Sequence, residues 1–271
     1  MAARLRRELG QATGQTLLAS AGVAAWGGSP SLLARVIEVS EQVFPSAPFA
    51  GQQLPIQELT RPIHALFRLS MGDDSPASRR LADSVIAALD ANRSAADSAL
   101  RREHSGVPYV AYLVFRDDKY RATYERWVGT ESPTLGVIAA VAAGDSAGAR
   151  ELAAGFMGPD AAAGPFVSRM RAIGEAAALV ELGESQAALE ILEALDPQWF
   201  DHDNIDPRWA FWPRTFLIRG SLYERLGRRP EAAEAYRRFI ELWSHADPSM
   251  SEHVRAAQSG LARVTDAGAV R

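Results

Sequence analysis

One stretch of the chain, from Gly220 to Trp243, constrains the fold most: it reads GSLYERLGRRPEAAEAYRRFIELW. Apolar and small residues before Gly227 share one helical face, and a second apolar stripe of helical spacing follows it. Pro230 stands in the first turn of the second stripe, where a missing N–H costs little. Gly227 suits the left-handed position that ends a helix. The pattern therefore predicts a helix–turn–helix hairpin.

Weaker versions of this spacing recur earlier in the chain, each centred on a turn between two apolar helical stripes. Gly144 and Gly183 occupy the turn position in two of them, and Gly72 occupies it in a fainter one. In a further hairpin-like segment, residues 109–127, two aspartates stand where the glycine would be. Self-similar segments of this length are typical of helical repeat proteins.

The strongest copy resembles the tetratricopeptide repeat (TPR), whose template places small residues, aromatic residues, a glycine and a proline at fixed offsets. The resemblance implies an all-α fold: a right-handed α-solenoid of stacked antiparallel helix hairpins, with degenerate repeats and a C-terminal capping helix. Five residues match the template in type and separation: Gly220, Tyr223, Gly227, Ala232 and Tyr236.

The resemblance also implies how the chain is divided. We expect an N-terminal helical region with weak repeat hairpins at 1–128 and a flexible tail at 265–271. TPR-like repeats are expected within 129–264, at about 130–160, 168–197 and 213–244, followed by the capping helix at 248–264.

Helix boundary signals outside the repeats refine this division. Ser29 suits a helix N-cap and Pro30 suits the first turn that follows it. Asp247 is predicted to cap the terminal helix in the same way. The proline-containing segment 45–55 is predicted to be a loop or linker.

The carboxyl half also resembles the C-terminal repeat arrays of bacterial Ser/Thr protein kinases and multidomain regulators, through the stretch LYERLGRRPEAAEAYRRFIELWSHADP. The kinase motifs H-R-D and D-F-G do not occur in the sequence, nor does a glycine-rich phosphate loop. The resemblance therefore implies a regulatory module without kinase chemistry. The resemblance also implies that the partner is a protein or peptide, such as a segment of a kinase or of a transcriptional regulator.

Composition excludes several classes of protein. The 271-residue chain has a net charge of −4 and mixed charge signs, without the basic face of a nucleic-acid-binding protein. The sequence contains no run of about 18 apolar residues, so no membrane span is predicted. Because there is no cysteine, disulfides, thiolate zinc sites and cysteine nucleophiles are excluded. Polar residues interrupt the apolar centre of the N-terminal segment, which is a poor signal peptide, and a cytoplasmic location is expected.

No motif in the sequence predicts catalysis or metal binding. None of the five histidines stands in a metal-binding spacing, and no G-x-S-x-G elbow occurs. The acidic stretch 201–206 fails the calcium-loop pattern, because Ile205 takes the place of an oxygen ligand and Asp206 that of the glycine. The chain is predicted to be a non-enzyme without a cofactor or metal.

A cluster of aromatic residues, in the stretch WFDHDNIDPRWAFW, is predicted to lie in an insertion between two repeats. The rings could cover the junction between hairpins, or they could form a wall for a small ligand or partner. The sequence leaves both interpretations open. The members of this aromatic wall are Trp199, Phe200, Trp209, Phe211 and Trp212.

In a solenoid the first helix of each hairpin lines a concave binding face. Our leading hypothesis is a protein-interaction scaffold or regulatory module that binds a partner segment there. Apolar positions would supply affinity, and Glu224 and Arg225 would set orientation or partner choice. The alternative is a small-molecule-sensing domain with an aromatic-lined pocket near residues 199–212. By resemblance, the exposed groove positions are Ile138, Val141, Ile173, Ala177, Leu217, Ile218, Ser221, Glu224 and Arg225.

Overall fold

The computed structural model consists of short helices joined by tight turns. It describes residues 21–43, 46–49, 52–91, 100–154, 165–195 and 208–266. Residues 21–26 and 100–103 are helical, and a 3-10 turn at Pro248–Met250 precedes the last helix. The other helices are α1 (Pro30–Val43), α2 (Ile56–Ser70), α3 (Pro76–Ala91), α4 (Gly106–Phe115), α5 (Asp118–Val128), α6 (Pro133–Ala142), α7 (Ser146–Ala154), α8 (Pro165–Leu182), α9 (Ser185–Ala194), α10 (Arg208–Arg225), α11 (Arg229–Leu242) and α12 (Ser251–Asp266).

A short β-hairpin separates α1 from α2. Strand β1 (Ser46–Phe49) pairs antiparallel with β2 (Gln52–Pro55), and Ala47 lies opposite Leu54. The prediction of a loop or linker at 45–55 is therefore wrong. Ala47 and Leu54 each precede a proline, which biases both towards extended backbone. Both strands of a two-stranded ribbon are edge strands, and proline is tolerated in edge strands. Elsewhere in the described residues the regular structure is helical, as predicted.

Consecutive helices pair across tight turns: α2 with α3, α4 with α5, α6 with α7, α8 with α9 and α10 with α11. Connections this short make neighbouring helices antiparallel. Helices thus flank the predicted turns, and Gly227 has the expected left-handed conformation with φ of 73°. At the α4–α5 turn the left-handed residue is Arg116, with φ of 54°. Asp117 instead caps α5, because its carboxylate accepts from the Lys119 amide.

Tyr236 of α11 packs between two glycines from neighbouring helices. A Cβ on Gly220 of α10 would stand 2.6 Å from the Tyr236 ring, and a Cβ on Gly260 of α12 would stand 2.4 Å from it. The Tyr236 hydroxyl donates to the Glu224 carboxylate at 3.0 Å, and Arg263 of α12 donates to the same carboxylate at 2.8 Å. The close approach of α10, α11 and α12 therefore requires small residues on both sides of one aromatic ring.

The amino-terminal helices pack against the carboxyl-terminal ones. The Nε1 of Trp243, a side chain that is 1% exposed, donates to the Trp26 carbonyl at 3.0 Å. Asp247 has the predicted N-cap position, before the 3-10 turn that leads into α12, but its side chain forms no bond to that turn. Its carboxylate instead accepts from the Ser31 amide at 2.6 Å and the Ser29 hydroxyl at 2.9 Å. Asp247 thus caps α1, which lies more than two hundred residues away in the sequence.

Helix α2 contacts helices from both ends of the chain: α1, α3, α4 and α10. Two hydrogen bonds fix its carboxyl-terminal end and the turn that follows. The Ser70 carbonyl accepts from Arg214 of α10 at 3.1 Å, and the Gly72 carbonyl lies 3.3 Å from Nε2 of His253 on α12. These contacts place the end of α2 beside α4 and α10, where it forms one boundary of the candidate site.

Candidate functional site

A cavity of about 170 Å³ lies among α2, α4, α8, α9 and α10. Its walls are mostly apolar, and two adjacent alanines on α8, Ala176 and Ala177, leave part of the space unfilled. For comparison, an apolar cavity of about 150 Å³ in another protein is large enough to bind benzene. The apolar lining residues are Val110, Leu113, Val114, Ile173, Ala176, Ala177, Val180, Leu192, Phe211 and Ile218.

Three charged side chains border the cavity. Arg116 and Glu181 form an ion pair, with Nη2 and Oε1 2.6 Å apart, and both side chains are more than one-third exposed. This pair therefore marks a side of the cavity that reaches solvent. The third charge is Arg214, which stands next to the Ser70 carbonyl. Two arginines against one glutamate give the lining a net positive charge.

Arg214 is a cation in largely apolar surroundings. Its guanidinium carbon lies 5.6 Å from the Phe211 ring centroid. Burial lowers the pKa of Arg214 to about 10, while Asp74 opposes this shift, so the side chain stays protonated at neutral pH. Within the described parts of the chain, no carboxylate forms an ion pair with Arg214, and the Ser70 carbonyl is its hydrogen-bond acceptor.

The turn between α2 and α3 is shaped to accept this cation. Gly72 has φ of 81°, in the left-handed region that favours glycine. A Cβ at this position would also stand 2.6 Å from the guanidinium carbon of Arg214. Glycine is therefore required for its backbone conformation and for the close approach of Arg214.

The aromatic wall predicted at 199–212 is only partly within the described residues. Trp199 and Phe200 lie outside them, as does the side chain of Trp209. Phe211 lines the cavity. Trp212 is 8% exposed and packs on Trp26, with ring centroids 4.5 Å apart, so it belongs to the core.

The stretch predicted to be an insertion between two repeats, 199–212, is helical from Arg208 onwards, because α10 begins there. Proline usually stands in the first turn of a helix, and Pro213 therefore suggests a later start. In the structure Pro213 lies inside α10. Directly before it, Phe211 and Trp212 pack on the core, and Trp212 also contacts Phe216 with ring centroids 4.8 Å apart.

The predicted groove positions do not form one exposed surface. Ile173, Ala177 and Ile218 line the cavity. Ile138 and Ile173 are 2% and 3% exposed, so the expectation that they are exposed is wrong. The physical reason is that α6 contacts both α7 and α8, which leaves few open positions on its surface. Three other predicted positions, on α6 and α10, are half-buried and do not line the cavity: Val141, Leu217 and Ser221.

Glu224 and Arg225, predicted to orient a partner, have different surroundings. Arg225 is exposed. Glu224 is bonded within the protein to Arg263 and Tyr236, and the hydrogen bond from Arg263 lowers its pKa. The Glu224 carboxylate is therefore already bonded within the protein, and these bonds stabilise the contact between α10 and α12.

Two half-buried histidines, whose Nε2 atoms are buried, lie away from the cavity. Burial lowers the pKa of His64 to about 4, with a further contribution from the charge of Arg68. Burial alone lowers the pKa of His104 to about 4. In the described part of the chain, neither Nε2 atom has a hydrogen-bond partner, and no group of three or more His, Asp or Glu side chains could hold a metal ion. Both histidines are therefore neutral at neutral pH.

We expect the protein to lose stability as the pH falls from about 6.5 towards 4. In the unfolded chain these two histidines bind protons below about pH 6.5, whereas in the folded protein they resist protonation down to about pH 4. Each can cost up to about 1.4 kcal/mol per pH unit in that window. Urea unfolding at several pH values measures the slope. His104→Gln should flatten it, and a slope equal to that of wild type in this variant would contradict the assignment.

Arg214 is the charged residue of the candidate site that sequence reasoning missed. Its signal is weak: one arginine directly after an aromatic cluster, on a helix face that also carries Phe211 and Ile218. A cation beside apolar residues, without an ion pair among the described residues, is a candidate ligand contact, because burying an unpaired charge is costly. The partner residues that complete its environment, Ser70 and Gly72, are too distant in sequence to be identified from spacing.

Searches among family models, curated proteins and solved structures find no match for this chain. The interpretation of the cavity therefore depends on its geometry and charge. No helix in the described ranges combines the length and the apolar character that crossing a membrane requires.

Proposed function

We propose that this chain is a non-catalytic, TPR-like helical-repeat module that binds a small molecule in the cavity among α2, α4, α8, α9 and α10. The observation that carries the proposal is an apolar cavity of about 170 Å³ between hairpins, with charged groups at its border. Sites for small ligands are typically concave and largely apolar, with a few polar groups that fix orientation.

The TPR-like part of the proposal is supported by contacts between successive hairpins. Helix α6 contacts α8, α9 contacts α10, and α11 contacts α12, so each hairpin packs on the next. The packing of Tyr236 between Gly220 and Gly260 uses two residues of the matched template, Gly220 and Tyr236. A right-handed solenoid that begins with α6 and α7 and ends with α12 as its cap is consistent with this order of contacts.

Binding rather than catalysis is supported by the residues that border the cavity. No histidine lines it within the described ranges, and its one carboxylate, Glu181, is held by Arg116. A general base must be free to accept a proton from a substrate. A cation beside apolar walls instead provides affinity and orientation for a ligand.

A fragment screen monitored by thermal unfolding tests the proposal. Ala177→Leu fills the cavity, and Ala194→Leu adds the same group at an exposed position of α9. We expect some fragments to raise the midpoint of wild type and Ala194→Leu but not of Ala177→Leu. A ligand at 100 times its Kd stabilises the folded state by about 2.7 kcal/mol. A screen without any fragment sensitive to Ala177→Leu would overturn the small-molecule proposal.

A protein partner remains the second candidate, supported by a stripe along α10. Leu217, Ser221 and Arg225 recur at intervals of one helical turn, and exposure increases from half-buried Leu217 to exposed Arg225. A segment of a kinase or transcriptional regulator could dock along this stripe. Partner capture that survives Ala177→Leu and is lost in Ser221→Arg would favour this scaffold function over the cavity.

A further inference from the structure

We propose that the ligand of this cavity is a small organic monocarboxylate with an apolar body, held by Arg214. This inference depends on the small-molecule function proposed above and specifies its chemical class. It combines three properties of the site: the size of the cavity, its apolar walls, and one guanidinium that lacks a carboxylate partner among the described residues.

The net charge at the cavity border determines which sign of ligand charge is favoured. Arg116 and Glu181 neutralise each other at a distance of 2.6 Å. Arg214 is then the remaining charge of the lining. Asp74 acts on Arg214 through its charge but forms no ion pair with it among the described residues. A bound monoanion would supply the directly paired counter-charge, whereas a cationic ligand would add like charge to the site.

The geometry of arginine favours a carboxylate among monoanions. A guanidinium presents five N–H donors in a planar fork, which matches two carboxylate oxygens. One hydrogen bond, from Nη1 of Arg214 to the Ser70 carbonyl at 3.1 Å, is formed within the described residues. This bond also anchors the guanidinium to the end of α2, so a ligand meets a cation whose position is already fixed.

The cavity walls select the rest of the ligand. Apolar side chains of α4, α8 and α10 surround the space, and Phe211 contributes an aromatic ring. A strongly hydrated inorganic anion would lose its water against these walls without compensating donors. The volume of about 170 Å³ fits a body of roughly one benzene ring. Benzoate therefore represents the proposed class as a probe.

Calorimetric titration of the full chain with benzoate, benzyl alcohol and benzylamine tests the inference. The three probes share a ring and differ in charge, so the comparison in wild type isolates the role of the carboxylate. We expect benzoate to bind at least about tenfold more tightly than benzyl alcohol, and benzylamine to bind more weakly than either. Equal affinities for benzoate and benzyl alcohol would overturn the carboxylate assignment, and so would a preference for benzylamine.

Variants assign the effect to Arg214. Arg214→Met should reduce benzoate affinity to the level of benzyl alcohol and leave benzyl alcohol affinity unchanged, which also reports that the cavity persists. Arg225→Met, at an exposed position of the same helix, is the matched control and should change neither. An unchanged benzoate preference in Arg214→Met would overturn the role of Arg214. The wild-type comparison decides the ligand class even if this variant does not fold.

The inference and the proposed function fail in different ways. Fragments that bind wild type but not Ala177→Leu, without any preference for carboxylates, would overturn the ligand class and leave the small-molecule function in place. A fragment screen with no hit sensitive to Ala177→Leu would overturn both. Tight benzoate binding that Ala177→Leu does not alter would also overturn the inference, because the acid would then bind elsewhere on the protein.

Discussion

Replacing Gly220 with valine should lower the free energy of unfolding by about 3 kcal/mol or more. A Cβ at this position would stand 2.6 Å from the Tyr236 ring, well inside van der Waals contact. The ring cannot move away, because Gly260 packs against it from α12 and a Cβ there would stand 2.4 Å from it. Valine at 220 would therefore push α10 away from α11. Urea denaturation followed by circular dichroism measures the loss.

Gly183→Ala is the matched control for this prediction. Gly183 has φ of 80°, and a Cβ there would have no atom within 4 Å. Its substitution therefore tests backbone strain without steric overlap, and a cost of about 1 kcal/mol is expected. A loss for Gly220→Val as small as that for Gly183→Ala would contradict the packing described for Tyr236. Partial rescue of Gly220→Val by Tyr236→Leu would show that the two positions are energetically coupled.

Local signals explain why the hairpins could be predicted from the sequence. The turn at Gly227 and the proline in the first turn of α11 act within a few residues of each other. Gly220 and Tyr236 are also close in sequence, on two helices joined by that turn, so their packing follows from one short pattern. Where a residue's partner lies in the same hairpin, spacing alone contains the information.

Contacts between distant segments explain what could not be predicted. The Asp247 carboxylate accepts from Ser31, which is 216 residues away, and Arg214 donates to Ser70, which is 144 residues away. No local pattern distinguishes an aspartate that caps its own helix from one that caps another. The β-hairpin was missed for a local reason, because its prolines resemble loop signals and also favour extended backbone.

The candidate site was predictable only in its apolar half. Ile173, Ala177 and Ile218 were expected at a binding face by resemblance to the TPR family, and they line the cavity. The resemblance indicates which helix face is apolar but not what covers it, so Ile138 and Ile173, which are buried, were expected to be exposed. The end of α2 covers part of this face, and its position depends on contacts with α1 and α10.

Replacing Trp243 with alanine should lower the free energy of unfolding by about 3–5 kcal/mol. The side chain is 1% exposed, and its ring centroid lies 4.7 Å from that of Phe239 and 5.7 Å from that of His253. A Cβ on Gly28 would stand 2.7 Å from the indole. The variant would leave a cavity where the amino-terminal segment meets the last hairpin. It would also remove the hydrogen bond to the Trp26 carbonyl.

Hydrogen exchange should locate this loss at the amino-terminal end. In Trp243→Ala, amides of residues 21–26 and of α1 should exchange faster than those of α6 and α7, which Trp243 does not contact. Trp243→Phe keeps an aromatic ring without the indole N–H, and a smaller loss of about 1 kcal/mol from the hydrogen bond is expected. Uniformly faster exchange in every helix of Trp243→Ala would contradict a local role.

The Trp243→Ala variant also tests whether the packing of the amino-terminal helices on Trp243 affects the candidate site. Helix α1 contacts α2, and the end of α2 provides the Ser70 carbonyl that fixes Arg214. If α1 loosens, α2 loses support on one side while its bonds to Arg214 and His253 hold the other. Benzoate affinity should then fall in Trp243→Ala by more than benzyl alcohol affinity, because the carboxylate depends on a positioned guanidinium and the ring depends only on the apolar walls.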